Sequence, residues 1–327
     1  MDISPDQKPI GSGYKAKSSP DEIMAGIDLS GRNAIVTGGY SGIGLETTRA
    51  MAKAGAKVVV PARRPDAAKT ALADVEGDIA VAAMDLADIG SVRAFAADFA
   101  AAHDRLHLLI NNAGIMACPE ETVGPGWERQ FGVNHLGHAA LFAGLEPAIR
   151  KAGADGGARV VALSSTGHKR SPVRFDDPFF KQEPYHKWTA YGQAKTANSL
   201  FAVGVDMRLK NDGVRAFAVH PGGIMTPLQR HLTEEEMVEL GWKDPSGGLS
   251  EVARSLFKTP PQGATTTLFA ATSPKLGGVG GVYCEDCDVA PVAGPDSVYY
   301  MHVAPHAVDR EQAARLWDMT ERLLAGA

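Results

Sequence analysis

The chain has 327 residues, 44% hydrophobic and 22% charged, with a formal net charge of -5. This is an ordinary globular composition, and the mild acidity with no Lys/Arg stripe excludes nucleic acid as a partner. Three cysteines exclude a disulfide framework and fit a reducing compartment.

The polar segment Met1–Pro20 has no apolar stretch of the kind a signal peptide carries. No run reaches the roughly 18 apolar residues that a membrane-spanning helix needs. The expectation is therefore a cytoplasmic protein with no membrane partner. Residues 1–27 read as an extended leader and 28–327 as one domain.

The first apolar run, Ala34-Ile35-Val36, ends at Thr37-Gly38-Gly39. Helical spacing follows from Ile43 to Ala54, with Leu45, Met51 and Ala52 on an inner face and Gly55 closing it. Val58-Val59-Val60 comes next, then Arg63, Arg64 and a helical stretch from Asp66 to Asp74. A third strand is expected over 79–84, a helix over 91–102, and a fourth strand over 106–110 ending at Asn111-Asn112-Ala113-Gly114. A long helix is expected within 127–150, a strand over 160–163, a loop over 166–187, and a helix over 188–209. The sixth strand, 214–219, ends at His220-Pro221-Gly222.

These apolar runs do not alternate with polar residues, as befits strands covered on both faces. Six strand–helix units predict an α/β, doubly wound Rossmann-like fold, whose parallel sheet carries helices on both faces. Beyond Pro221 the alternation weakens. A substrate flap is expected at about 225–258, a helix over 263–271, a seventh strand over 281–283 and an amphipathic C-terminal helix at about 308–324.

Two stretches carry chemistry. Thr37-Gly38-Gly39-Tyr40-Ser41-Gly42-Ile43-Gly44 lies between the first strand and the first helix, where a dinucleotide pyrophosphate rests on a helix N-terminus. NAD-preferring sites hold the ribose with a carboxylate at the end of the second strand. This strand ends Val60-Pro61-Ala62-Arg63-Arg64, so NADP(H) is the preferred cofactor, with Arg63 or Arg64 on the 2′-phosphate; NAD(H) remains the alternative. Asp85, at the end of the third strand, is placed to bond an adenine edge.

The second stretch is Tyr191-Gly192-Gln193-Ala194-Lys195. Residues four apart share a helix face, so the ammonium of Lys195 is expected to pull the Tyr191 phenol down from its ordinary value of about 10. Such a pair suits proton transfer to or from an alcohol oxygen.

Thr37–Gly44, Asp85-Leu86, Asn111-Asn112-Ala113-Gly114, Asn134, Ser164-Ser165, Tyr191 with Lys195, and Pro221-Gly222 with Thr226 stand in one order along the chain. In that combination the chain resembles the short-chain dehydrogenase/reductase family over roughly residues 28–290. Within the family it looks most like the retinol dehydrogenase and WW-domain oxidoreductase branch, through Glu22–Asp28, Arg174-Phe175-Asp176-Asp177, Lys258-Thr259-Pro260 and Gly281-Val282-Tyr283.

The resemblance implies a seven-stranded sheet and an oxidoreductase interconverting an alcohol with its ketone or aldehyde. It implies Tyr191 as the general acid or base, Lys195 as its modulator and ribose ligand, and Ser165, in preference to Ser164, as the group bonding the substrate oxygen. Asn134 would position a water. Gly38, Tyr40, Ser41, Gly42, Ile43, Gly44, Leu86, Asn112, Ala113, Gly114, Pro221, Gly222, Ile224 and Thr226 would complete the cofactor site with Arg63, Arg64 and Asp85. A homodimer or homotetramer through the helices at 127–150 and 188–209 is the family expectation. The alternative is a catalytically silent dinucleotide-binding scaffold or redox sensor.

His135, His138, His168 and His220 lack partners at ligand spacing, and no metal is expected. Phe175, Phe179, Phe180, Tyr185 and Trp188, with Met116, Met225 and Trp242, either cover the sheet end or wall an apolar pocket for a medium-sized substrate.

Overall fold

The structure, a computed structural model, describes residues 1–327. Residues 1–18 carry no helix; Ser19 then caps a one-turn helix, α1 (Pro20–Met24). The leader is thus not extended to its end. Ser19 and Glu22 bond each other's backbone in a capping box, and Pro20 suits the first helical position.

Strands and helices then alternate as expected. β1 (Asn33–Val36), α2 (Gly42–Lys53), β2 (Lys57–Ala62), α3 (Pro65–Ala71), β3 (Ile79–Ala83), α4 (Ile89–Ala102) and β4 (Leu108–Asn111) follow in order. The next segment departs from the expected single helix. It opens with a hairpin of β5 (Thr122–Val123) and β6 (Trp127–Glu128), followed by one turn, α5 (Arg129–Phe131). A π-turn over Gly132–Leu136 then leads into α6 (Gly137–Ala154). The buried carboxylate of Glu128 sets this start, accepting from the N–H groups of Gln130 (2.8 Å) and Phe131 (2.7 Å).

β7 (Ala158–Leu163), α7 (Lys187–Leu209) and β8 (Val214–His220) complete the core alternation. The flap breaks into a 3-10 turn at Pro227–Gln229, α8 (Glu234–Glu239) and α9 (Glu251–Leu256). Then come α10 (Pro260–Thr272), β9 (Val282–Glu285), β10 (Asp288–Val289) and α11 (Arg310–Ala325).

The main sheet has eight strands, in the order β10-β9-β8-β7-β4-β1-β2-β3, instead of seven. Seven run parallel; β10 returns antiparallel to β9. Asp286 (φ 49°) and Cys287 (φ 61°) make that turn, both in the left-handed region that a two-residue hairpin of this hand demands. One apolar layer lies under α4, α6, α7 and α11, and a second under α2 and α10 on the opposite face.

Two consequences concern the surface. First, the face expected to join copies of the chain is occupied. Trp317 of α11 stacks on Phe201 of α7 (centroids 6.0 Å, 5° apart) and packs edge-on to Phe142 of α6 (6.0 Å). Residues 190–206 of α7 are all buried within one chain. The chain's own C-terminal helix thus covers part of the α6–α7 face through which a homodimer or homotetramer was expected.

Second, the leader is docked on β9. The buried Gln7 side chain donates to the carbonyls of Tyr283 (3.1 Å) and Ala290 (2.6 Å) and accepts from the N–H of Tyr283 (2.8 Å). Gln7→Ala strands all three backbone groups and should lower unfolding free energy by about 2–4 kcal/mol in a urea titration. An unchanged midpoint would mean that these bonds do not tie the leader down.

Candidate functional site

The sheet order reverses between β1 and β4, and in open α/β sheets that crevice is where ligands bind. Val36 pairs with Ile110, which brings the turn after β1 against the turn after β4. Thr37 Oγ1 accepts from the N–H groups of Asn112 (2.9 Å) and Ala113 (2.9 Å), and Asn112 Nδ2 donates to the Thr37 carbonyl (2.8 Å). Thr37 and Asn112 thereby clip the two turns together.

Two glycines make the clip possible. Gly38 has φ 64°, and a Cβ there would lie 3.2 Å from Ala113. A Cβ on Gly44 would run into the Gly38 carbonyl and lie 2.5 Å from Asn112 Nδ2. At the start of α2 the Ser41 side chain makes no capping bond, so the first-turn N–H groups have no intrachain acceptor from it. An anion at that helix end would meet both unpaired donors and the positive end of the helix dipole.

A cavity of about 910 Å³ runs from this turn along the ends of the strands. Gly38, Tyr40, Ser41, Gly42, Ile43, Gly44, Arg63, Arg64, Asn112, Ala113, Gly114, Tyr191, Lys195, Pro221, Gly222, Ile224 and Thr226 all line it, as does Ser165. Asp85 and Leu86 do not. The Asp85 carboxylate turns back to accept from the N–H of Ala87 (3.0 Å), and the Leu86 carbonyl lies directly against Gly137 of α6. Arg230, which the sequence reading passed over, reaches the cavity from the flap. Burial lowers its pKa and so does the neighbouring charge of Arg63, which means that two guanidinium groups converge here.

Tyr191 and Lys195 stand on the buried stretch of α7, at 3% and 4% exposure. Gly167 lets the phenol ring lie flat against the turn after β7, since a Cβ there would fall 2.6 Å from a ring carbon. Lys195 Nζ donates to the Leu163 carbonyl (2.9 Å) and lies 5.7 Å from the ring centre of Tyr191. Burial pushes the phenol up to about 12, opposed by a hydrogen bond with Ser165, and pushes the ammonium down to about 8. The phenol thus stands above its ordinary value, contrary to the expectation that Lys195 would hold it below: burial dominates both shifts, and Lys195 is not among the groups that act on the phenol.

The two serines divide. Ser164 is turned away, donating to the Lys195 carbonyl (2.9 Å) and accepting from Ser199 (2.8 Å). Ser165 lies on the phenol side, its Oγ also accepting from the N–H of Gly167 (3.0 Å).

Asn134 sits in the π-turn and does not line the cavity. Its amide bonds the backbone of Ile115 twice, accepting from the N–H and donating to the carbonyl, each at 2.9 Å. Its own carbonyl meets His138 Nδ1 (2.9 Å), whose Nε2 meets Thr37 Oγ1 (2.9 Å). Asn134 therefore connects the turn after β4 to the clip at Thr37, and a Cβ on Gly114 would lie between its Oδ1 (3.3 Å) and Lys195 Nζ (3.6 Å). π-turns recur at functional sites because they reorient such groups.

The aromatic residues also divide. Met116, Trp188 and Trp242 line the cavity, joined by Leu228, Leu240 and Phe257. Phe175 and Phe179 pack instead against the main core, Phe180 and Tyr185 against each other, and Met225 beneath the flap. Lys258, Glu285 and Asp286 line the cavity without having been expected there, beside His220. Polar residues closing an apolar strand, as Glu285-Asp286 closes Val282-Tyr283-Cys284, were the available signal.

Comparison with known proteins fits this geometry. The family model for short chain dehydrogenase matches residues 32–176. Over 297 residues the chain is 45% identical to a "Probable oxidoreductase" of Streptomyces lividans, covering 89% of this chain and 97% of that protein. It is 35% identical over 303 residues to retinol dehydrogenase 12 of Mus musculus, covering 91% and 88%. A crystal structure of an uncharacterized protein from Mycobacterium paratuberculosis superposes with a TM-score of 0.69 at 29% identity, over 93% of this chain and 97% of that one.

The burial of Lys195 has a measurable cost. Its folded pKa of about 8 lies below the ordinary 10.5, so the unfolded state binds more protons between those pH values and stability rises with pH across that window. Relative to Lys195→Met, the wild type should gain on the order of 3 kcal/mol between pH 7 and pH 10.5 in paired urea titrations. Parallel curves for the two proteins would contradict a desolvated ammonium.

Proposed function

The chain belongs to the short-chain dehydrogenase/reductase family, and on that premise we propose that it interconverts an alcohol with its ketone or aldehyde. The cofactor is a nicotinamide dinucleotide, NADP(H) in preference to NAD(H), and the substrate is a medium-sized, largely apolar molecule. The observation that carries this reading is the phenol of Tyr191, with Ser165 and Lys195 lining the same cavity beside it, together with the glycine-lined helix end at Ser41–Gly44.

The residues present fit the dinucleotide. The unpaired N–H groups at the start of α2 would hold its pyrophosphate, in a cradle that a Cβ at Gly38 or Gly44 would fill. Arg63, Arg64 and Arg230 would hold a 2′-phosphate: no carboxylate is among the charges acting on Arg230, and Ala62 ends β2 where an NAD site has its acid. When bound, the cofactor donates or accepts the hydride.

The chain's own residues then manage the proton and the developing charge. Tyr191 gives its phenol proton to the substrate oxygen in reduction and takes it back in oxidation. A buried phenol resists ionising, so Lys195, fixed on the Leu163 carbonyl, supplies the positive charge that stabilises the phenolate as it forms. The Ser165 hydroxyl stabilises negative charge on the substrate oxygen beside the same phenol. Asn134 holds the Gly114–Ile115 backbone in place next to Lys195, so it acts by positioning. Met116, Trp188, Leu228, Leu240 and Trp242 exclude water and favour an apolar body.

Tyr191→Phe should lower kcat at least about a thousandfold while NADPH binding, followed by fluorescence, stays within about twofold. A variant retaining most of its turnover would overturn the role of Tyr191; loss of NADPH binding would instead mark a structural role. The double variant Arg63→Ala/Arg64→Ala should raise KM for NADPH about tenfold or more and that for NADH little, as expected for loss of charge-assisted bonds to one phosphate. An equal rise for both would remove the case for NADP(H).

A further inference from the structure

The end of the cavity away from Arg63 and Arg64 holds polar groups that proton transfer at Tyr191 does not use. β8 and β9 finish side by side with His220 in register with Glu285, and both residues line the cavity together with Lys258 and Asp286. His220 is only 8% exposed, yet its Nδ1 is buried without a hydrogen-bond partner. That nitrogen is sealed from the cavity, but Nε2 has no protein partner either and is not sealed, so it is the ring atom a cavity ligand can bond. Glu285 is 7% exposed and accepts the N–H of His302 through Oε1 (2.8 Å).

The neighbouring charges define what such a ligand is. Lys258 Nζ is paired with Asp286 Oδ1 (2.7 Å), and Lys169 Nζ is taken up by the carbonyls of Val298 and Met301. Asp286 offsets the charge of Lys258, and the ammonium of Lys169, held by neutral carbonyls, acts on the Glu285 carboxyl, so the charges at this wall are largely balanced among themselves. Burial keeps the Glu285 carboxyl high, at about 7, which also disfavours an anion beside it. An imidazole and a carboxyl at a common wall suit a neutral hydroxyl, which can donate to one and accept from the other.

The mouth above them is apolar. Apart from Met1, the large hydrophobic residues left exposed are Val252, Leu256, Val298, Tyr299, Tyr300 and Met301, and all of these but Val298 line this same cavity. Exposed apolar residues gathered around one opening mark a binding surface.

We propose that His220 and Glu285 form a second polar subsite, which binds a neutral hydroxyl group of the substrate remote from the reacting carbon. The preferred substrates are then apolar aldehydes or ketones that carry a second, distant hydroxyl. This rests on the carbonyl–alcohol reading above.

The test uses the full-length enzyme with NADPH and a homologous series of straight-chain aldehydes, each with and without a terminal hydroxyl. The hydroxyl should raise kcat/KM about tenfold at one chain length, the worth of one hydrogen bond. In His220→Phe, and separately in Glu285→Leu, the ratio between the paired substrates should fall to about one whatever the absolute rates. A gain that survives both variants would overturn the assignment. So would a wild type that reduces the plain aldehydes with no gain from the hydroxyl at any length, and that outcome leaves the carbonyl reading standing. Reduction of neither member of any pair would remove that reading and the subsite with it.

Discussion

Taking a phenol and an ammonium out of water on one face of α7 is the constraint on which the rest of the site depends. Desolvation drives Tyr191 up and Lys195 down, so both neutral forms become easier to reach than in water. The fold holds them there by burying α7 on nearly every side. Thr196 donates to the carbonyls of His168 and Ser171, which straps the helix to the turn after β7. α11 closes its outer face, and Gly167 allows the ring to approach the backbone. A more exposed α7 would hold the same residues as ordinary surface groups, without the shifts that burial gives them.

That burial has a structural cost, visible in where the chain spends its polar bonds. The Lys195 ammonium is held by one carbonyl, that of Leu163. Asn134 bonds Ile115 twice through its amide, and the His138 ring bridges its carbonyl to Thr37. One continuous set of bonds therefore runs from the glycine-rich turn after β1, through the π-turn, to the backbone beside Lys195. The helix-end cradle and the surroundings of Lys195 are positioned by the same polar layer, which explains why two turns far apart in sequence meet at one cavity.

Much of this was legible in the sequence because it depends on local rules. Unalternating apolar runs marked strands buried on both faces, and glycines between a strand and a helix marked a close backbone approach. What escaped depends on tertiary context. Periodicity placed Asp85 at a strand end but could not show that one oxygen of its carboxylate accepts from Ala87 in its own turn. The hairpin that joins β9 to β10 was hidden because Asp286-Cys287 is not a usual pair for a turn with two positive φ values. Periodicity could not show that α11 would cover α7, nor that Phe175 and Phe179 would join the core while Trp188 faced the cavity. The direction of the Tyr191 shift was missed for the same reason: the i, i+4 spacing places a charge beside the phenol but says nothing about how much water both lose.

The central claim is that this cavity carries a hydride between a nicotinamide ring and a carbonyl carbon while Tyr191 moves the proton. Isotope transfer tests it most directly. NADPH dideuterated at the nicotinamide C4 is incubated with the enzyme and an apolar aldehyde or ketone, and the product is analysed by mass spectrometry. The account predicts one deuterium on the carbinol carbon of the alcohol. Alcohol formed without deuterium, or no alcohol from any aldehyde or ketone under conditions where NADPH is shown to bind, would contradict it.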